Sequence, residues 1–368
     1  VSRDTVGMPI WYRQYCQIFQ NVRCSRLNGW PNGVIFPRDH NNSYTEVIMT
    51  DTVIELFRQK RTLSQQEKKT LQEVKTLNLS GLQLDEIASL KWAGQLEDLQ
   101  LNNNKITDIS VLSFLPNLKS LALNNNYISD LSPLRHLHNL KCLSLAGNAI
   151  TSIAPLSTIR RLEMLCLNRN KIRDVSPLQA LPHLRDIWVS RNLIIDIDCL
   201  ANIPDLNEIG AAHNQIRKVT ITNHNTIQLL YLEGNLITDV ELCHLPKLLE
   251  AGLSYNCIEN ATFEDCPKLL MLDLRNQHLQ SLILTGMKKL EFLNVAYNHL
   301  ESIDLSDVPA LKKLWLQENL IEDVSFLNNY ETLNELNICD NPINFDLSRD
   351  LRNEASPLMK MVLTWTWL

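Results

Sequence analysis

The stretch Leu118-Lys-Ser-Leu-Ala-Leu-Asn-Asn-Asn-Tyr-Ile128 carries apolar residues at four fixed places and an asparagine two residues before the last of them. Side chains alternate between the two sides of an extended segment, so Leu121 and Leu123 share one side and Ala122 lies on the other. A single strand of this length is not stable alone, because it buries too little apolar surface. The stretch therefore predicts one strand of a sheet that is built by stacking copies.

Copies of this pattern recur thirteen times along the chain. The first apolar place is filled by Val74, Leu96, Leu118, Leu140, Leu162, Leu184, Leu206, Ile227, Leu248, Leu269, Leu290, Leu311 and Leu333. The pattern and its period resemble the leucine-rich repeat. We therefore predict an α/β leucine-rich-repeat solenoid, with a curved parallel β-sheet on its concave face and short helical or irregular returns on its convex face.

The length of the copies changes along the chain. The steps are 22 residues as far as Leu206, 21 residues from there to Leu311, and 22 residues for the last one. In the shorter copies, of which Ile303-Asp-Leu-Ser-Asp-Val308 is typical, we expect tighter turns or short strands on the convex side. A change of curvature near residue 220 should follow.

An amide side chain recurs at one place of nearly every copy. It is found at Asn104, Asn126, Asn148, Asn170, Asn192, Asn214, Asn235, Asn256, Asn298, Asn319 and Asn341, with Gln277 in one copy. At this place the backbone turns away from the sheet and leaves peptide groups without partners in the strand ladder. A buried amide both donates and accepts hydrogen bonds, so these residues are predicted to be structural.

Four regions follow from where the repeats begin and end. Residues 1–48 form an N-terminal extension, residues 49–73 a helical cap, residues 74–343 the repeats, and residues 344–368 a C-terminal cap. Ser64 followed by Glu67 is a capping-box pair that opens a helix of the N-terminal cap. Cys16 and Cys24 lie close together in the extension, where either a disulfide or two free thiols is consistent with the spacing.

The cap and the first repeats resemble a bacterial family. Thr50-Asp-Thr52 with the helix that follows, and Thr62-Leu-Ser-Gln65, look like the helical cap of the internalins. Ile106-Thr-Asp-Ile-Ser-Val-Leu112 and Ile128-Ser-Asp-Leu-Ser-Pro-Leu134 look like internalin repeats. The resemblance covers residues 50 to 206 and implies a surface or secreted protein that binds a protein of a host or neighbouring cell.

Composition and charge argue against several functions. No apolar run approaches the roughly 18 residues that a membrane span needs. Residues 1–73 contain ten Lys and Arg against seven Asp and Glu, so the net charge of −6 leaves −9 on the rest of the chain. An acidic repeat region is unsuited to holding nucleic-acid phosphates. No catalytic constellation, phosphate-binding loop or set of metal ligands with a known spacing is apparent, so we expect neither an enzyme nor a cofactor.

The outward-facing strand residues are the remaining candidates for function. Between the two inner leucines stand small and polar residues in the first copies, and large rings beside glycines in the later ones. Strands about 4.8 Å apart would place Trp188 and Tyr231 on the order of 10 Å apart across Gly210, with a slot between them. Aromatic residues and Arg dominate the energetics of protein interfaces. The predicted partner-binding residues are Arg185, Trp188, Arg191, Tyr231, Tyr255, Met271, Asp273, Arg275, Phe292, Tyr297 and Trp315.

The concave face is therefore predicted to bind a protein partner of unknown identity. The internalin resemblance favours a secreted or cell-surface adhesion or virulence factor. An intracellular scaffold or regulatory subunit is the alternative, favoured by cysteines expected in the core, such as Cys266, and by a C-terminal cap similar to those of intracellular repeat proteins. The recognition arm of a larger enzyme and a carbohydrate-binding protein are further alternatives. The purely structural interpretation is that the rings only cover neighbouring strands.

Overall fold

The computed structural model describes residues 54–57, 62–330 and 333–343. Seventeen strands lie in these residues: β1 Thr76–Asn78, β2 Asp98–Gln100, β3 Ser120–Ala122, β4 Cys142–Ser144, β5 Met164–Cys166, β6 Asp186–Trp188, β7 Glu208–Gly210, β8 Lys218–Thr222, β9 Leu229–Tyr231, β10 Asp239–Cys243, β11 Glu250–Gly252, β12 Asn260–Glu264, β13 Met271–Asp273, β14 Ser281–Thr285, β15 Phe292–Asn294, β16 Lys313–Trp315 and β17 Glu335–Asn337.

Thirteen of these strands form one sheet, with one strand from each copy of the repeat. Its order is β1-β2-β3-β4-β5-β6-β7-β9-β11-β13-β15-β16-β17, and neighbouring strands are parallel. Equivalent positions of consecutive copies pair directly, as Leu99 does with Leu121 and Leu121 with Leu143. The predicted solenoid and its register are confirmed. Side chains one repeat apart in sequence therefore stand side by side on the surface.

The repeated leucines fill a continuous core behind this sheet. Leu118, Leu121, Leu123 and Ile128 of the first stretch have no exposed surface, and their equivalents in the other copies are buried in the same way. Burying one such side chain stabilises the fold by about 1.5–3 kcal/mol. Because each copy buries its leucines only against the copies beside it, the array stabilises copies that would not fold alone.

In the 22-residue copies the convex return is a short 3₁₀ helix. These helices are Ala88–Trp92, Ser110–Phe114, Ser132–His136, Ala154–Thr158, Ser176–Ala180, Asp198–Asn202 and Ser325–Asn329. A side-chain-capped turn precedes most of them, as where the Ser110 N–H donates to Asp108 Oδ1 at 2.8 Å. Such turns favour a tight return over a strand.

Four of the five 21-residue copies return through a short strand, which is one of the two expected forms. β8, β10, β12 and β14 make a second parallel sheet of four strands in the order β14-β12-β10-β8. Buried residues alternate with more exposed ones along these strands. In β8, for example, Val219 and Ile221 are buried and the residues on either side of them are more exposed. The fifth copy, which contains residues 303–308, differs. There the Asp304 carboxylate accepts a hydrogen bond from the Ser306 N–H at 2.9 Å, and the chain turns.

The helix Gln65–Glu73, α1, precedes the first repeat. Ser64 accepts a hydrogen bond from the Glu67 N–H, and the Glu67 carboxylate accepts from the Ser64 N–H at 2.7 Å, which confirms the capping box. Leu71 of this helix is fully buried against the core. The extension 1–48, with Cys16 and Cys24, and the cap 344–368 lie outside the described residues.

Candidate functional site

The predicted partner-binding residues lie on strands of the large sheet or within three residues of a strand end. Those on strands are Trp188, Tyr231, Met271, Asp273, Phe292 and Trp315, and those beside strand ends are Arg185, Arg191, Tyr255, Arg275 and Tyr297. In the outward-facing column, Trp188 pairs with Gly210, which pairs with Tyr231. Gly252 then stands between Tyr231 and Asp273. Strands β6, β7, β9, β11, β13, β15 and β16 therefore bring these residues onto one surface, which we call the concave ring face.

The predicted slot over Gly210 is wrong. A Cβ placed on Gly210 would come within 2.8 Å of Trp188 Cδ1, so the indole itself lies over the glycine. In the same way the Glu233 carboxylate lies over Gly252, where a Cβ would meet Oε1 at 2.5 Å. The missing side chains make room for side chains of the preceding copy, and that space is not left for a ligand.

Three rings of the concave ring face are anchored to carboxylates of the next strand. Trp188 Nε1 donates to Glu208 Oε1 at 2.8 Å, and the Tyr231 hydroxyl donates to Glu250 Oε2 at 2.8 Å. Trp315 Nε1 donates to Glu335 Oε1 at 3.3 Å. Sequence reasoning missed these acceptors. The signal was a glutamate 19 or 20 residues after each ring.

The three rings that make these hydrogen bonds are buried or half-buried. Tyr231 is 7% exposed and Trp315 is 8% exposed, while Trp188 is half-buried. Phe292 packs edge-on against Trp315 with ring centroids 5.1 Å apart, and Met271 pairs with Phe292 in the sheet register. Phe292 and Trp315 thus pack together on the concave side, in addition to the leucine core behind the sheet.

A charged pair, Asp273 and Arg275, lies at the end of β13. Arg275 Nε is 3.4 Å from Asp273 Oδ2, and the Arg275 N–H donates to the other Asp273 oxygen at 3.2 Å. Burial raises the pKa of Asp273 to about 6, because loss of hydration outweighs the attraction of Arg275. The Arg275 guanidinium also lies over the Tyr255 ring, 5.5 Å from its centroid. Arg275 therefore links a buried carboxylate to an exposed ring.

Two tyrosines remain open to solvent on this face. Tyr255 and Tyr297 are each 45% exposed. Both have left-handed backbone conformations, with φ of 58° and 59°, at the position just before the ladder amide. Arg191 occupies the same position in an earlier copy, with φ of 61°, and it is exposed, as is Arg185. Bulky residues rarely adopt this conformation. The backbone conformation sets the direction in which each of these side chains leaves the chain.

Each ladder amide connects its own copy to the preceding copy through hydrogen bonds. Asn170 Nδ2 donates to the carbonyls of Leu145 and Leu167 at 3.0 Å, and Asn170 Oδ1 accepts from the Ile150 N–H at 3.0 Å. The same arrangement of two carbonyls and one or two N–H groups occurs at Asn104, Asn126, Asn148, Asn192, Asn214, Asn235, Asn256, Asn298, Asn319 and Asn341. Gln277 donates to one carbonyl and accepts from the Ile258 N–H.

The cysteines of the described residues are free thiols. Cys266 has no exposed surface, as expected, and burial raises the pKa of its thiol to about 11. Within the described part of the chain, no helix is long and apolar enough to cross a membrane. The same residues contain no group of three or more His, Cys, Asp or Glu arranged to hold a metal ion.

Comparison with known families agrees with the repeat architecture. The sequence family described as Leucine Rich repeats (2 copies) matches residues 94–136, 138–180, 160–202 and 288–329. An internalin, InlF, from Listeria monocytogenes is 26% identical, with a TM-score of 0.64 over 80% of this chain and 90% of that chain. The chain contains leucine-rich repeats and resembles an internalin.

Other solved structures share the fold of this internalin-like protein. The leucine-rich-repeat protein LIC12759 of Leptospira interrogans is 20% identical, with a TM-score of 0.63 over 77% of this chain and 83% of that chain. A chain of the LRIM1/APL1C complex is 25% identical, with a TM-score of 0.68 over 78% of this chain and 56% of that chain. No curated protein matches the sequence. The fold is one that generally serves protein–protein recognition.

Proposed function

We propose that the chain binds a protein partner on the concave ring face. One observation carries the proposal: Tyr255 and Tyr297 are exposed just beyond β11 and β15, and Arg275 lies over the Tyr255 ring. In the first copies, the column that contains Trp188 and Tyr231 has only small or polar side chains, such as Gln100 and Ser144. Tyr, Trp and Arg are the residues that most often dominate interface energetics, so the two halves of the face should contribute unequally.

The hydrogen bonds of the concave ring face support binding with little loss of conformational freedom. Trp188, Tyr231 and Trp315 are already held by carboxylates, and the backbone at Tyr255 and Tyr297 is fixed by hydrogen bonds to the next copy. Immobilising a free side chain on binding costs about 0.5–1.5 kcal/mol, so a surface that is ordered beforehand binds more tightly.

We place this activity at the surface of a bacterium or in its secretions, as an adhesion or virulence factor. The likeness to an internalin of Listeria monocytogenes, which extends over 90% of that chain, supports this setting. An intracellular scaffold or regulatory subunit is the second candidate. The free cysteines of the described repeats favour it, because disulfides form in oxidising compartments and are rare in the cytosol.

Position-specific photo-crosslinking tests the binding face. A photoreactive phenylalanine derivative replaces Tyr255 or Tyr297 in the full chain, which is then incubated with extracts of candidate host or neighbouring cells and illuminated. Tyr127, which is 62% exposed beyond the ladder amides, and Phe114, which is 63% exposed on a convex helix, are the matched control positions.

The same covalent adduct from positions 255 and 297, and its absence from positions 114 and 127, would support the proposal. An adduct that forms only from the control positions would place the partner on another surface. An adduct of equal yield from all four positions would show contact without a preferred face, and the proposal would fail.

A further inference from the structure

Two imidazole side chains stack outside the concave ring face. His278 and His299 follow the ladder amides Gln277 and Asn298, so they occupy the same place in consecutive copies. Their ring centroids are 5.6 Å apart, and their ring planes are inclined by only 17°. Both side chains are exposed, so ions in solution reach them directly.

The backbone fixes the separation of the two histidines. The His278 N–H donates to the Ile258 carbonyl at 3.0 Å, and the His299 N–H donates to the Leu279 carbonyl at 2.9 Å. The adjacent ladder amide of Asn298 is bonded to two carbonyls of the array. Only the side-chain torsions of the histidines are therefore free to adjust, which limits the ordering that a shared ligand would require.

We propose that His278 and His299 together bind a divalent transition-metal ion. Imidazole nitrogen is a preferred ligand of Zn²⁺, Ni²⁺ and Cu²⁺. Two nitrogens that each lie about 2.1 Å from one tetrahedral ion are roughly 3.4 Å apart. Exposed rings on neighbouring copies reach this separation when they tilt toward each other, since their backbones are about one strand spacing apart.

The site has two ligands from the protein. Cys257 occupies the same place one copy earlier, but in the described residues it does not complete a group of three ligands with the histidines. The remaining coordination positions of the ion are therefore open to water or to a donor from a second molecule. An open site of this kind binds more weakly than a closed structural site with four protein ligands.

Sequence reasoning missed the pair because it searched for close spacings within one segment. The relevant spacing is one repeat, since 21 residues separate the two histidines and the sheet places equivalent positions side by side. Repeat length is thus the signal by which such a site can be found in a solenoid.

Calorimetric titration of the full chain with nickel chloride tests the site, in a reducing buffer without chelators. His278→Asn and His299→Asn should each weaken the binding of one Ni²⁺ equivalent by about tenfold or more, because either change leaves a single imidazole. The matched control is His136→Asn with His138→Asn. That pair has rings 6.4 Å apart at 86°, and it lies in and just after one convex helix rather than on consecutive copies.

The control variant should keep the same Ni²⁺ affinity and stoichiometry as the parent protein. Thermal melting without metal should be equal for all variants, because the four histidines are exposed. The proposal is overturned if the parent and a variant that combines His278→Asn with His299→Asn give the same titration curve. It is also overturned if the control variant loses the site, or if the parent binds no Ni²⁺ at millimolar concentration.

Discussion

Replacing Asn170 by alanine is expected to lower the free energy of unfolding by about 1–3 kcal/mol. Its side chain is only 8% exposed, and its oxygen accepts the hydrogen bond from the Ile150 N–H. The two carbonyls to which Asn170 donates keep second donors, because Asn148 also bonds the Leu145 oxygen and Asn192 also bonds the Leu167 oxygen. The unpaired Ile150 N–H therefore accounts for most of the loss.

Two further variants separate the roles of the amide. Asn170→Asp keeps an acceptor for the Ile150 N–H but places a buried negative charge against two carbonyl oxygens. At pH 7, Asn170→Asp should lower the free energy of unfolding more than Asn170→Ala does. This decrease should become smaller at lower pH, where the carboxylate is protonated. Asn341→Ala removes the same set of bonds at the end of the array, where the side chain is half-buried. Because water reaches that site, Asn341→Ala should lower the free energy of unfolding less than Asn170→Ala does.

Urea unfolding followed by both fluorescence and circular dichroism provides the measurement. Coincident transitions are required, because repeat arrays unfold cooperatively only when neighbouring copies remain coupled. A loss of less than about 0.5 kcal/mol for Asn170→Ala would mean that the Ile150 N–H finds another partner. Equal losses at Asn170 and Asn341 would refute the argument from burial.

Three further predictions follow from the hydrogen bonds, the charges and the sequence. Gln277→Asn should raise the free energy of unfolding by about 1 kcal/mol in urea melts, because asparagine donates to two carbonyls elsewhere in the ladder and Gln277 to one. The raised pKa of Asp273 favours its neutral form in the folded state, so its contribution to stability is lost as pH rises from about 4 to about 6. Asp273→Asn should therefore gain up to about 3 kcal/mol relative to the parent between pH 3 and pH 8, and an unchanged difference between those pH values would contradict this. If Cys16 and Cys24 are bridged, peptide mapping without reduction should recover them as one linked species, whereas two alkylated thiols would favour the intracellular setting.

The repeat pattern was sufficient to predict the sheet because one physical rule acts in every copy. Apolar residues at the places of Leu121 and Leu123 must share one side of a strand, and a constant period then fixes the register of all copies. The change from 22 to 21 residues likewise predicted a different convex return. It did not predict that Asp304 would end the second sheet, because that depends on one side-chain hydrogen bond.

The side-chain arrangement of the concave ring face could not be predicted to the same extent. The sequence placed Trp188 and Tyr231 in the correct column, but the direction in which a ring leans depends on its rotamer and on the space beside it. A glycine in the next copy admits the indole of Trp188, and Glu208 then fixes it there. The burial of Asp273 depends in the same way on neighbours from adjacent copies.

Affinity measurements with the crosslinked partner test the central claim most directly. Tyr255→Ala with Tyr297→Ala should weaken binding by about 2 kcal/mol or more, roughly thirtyfold in Kd, because two exposed rings are lost from the ordered face. Gln100→Ala, in the small-residue half of the same sheet, should leave Kd within about twofold of the parent. Unchanged affinity of the tyrosine double variant, together with a loss in Gln100→Ala, would contradict the assignment of the concave ring face.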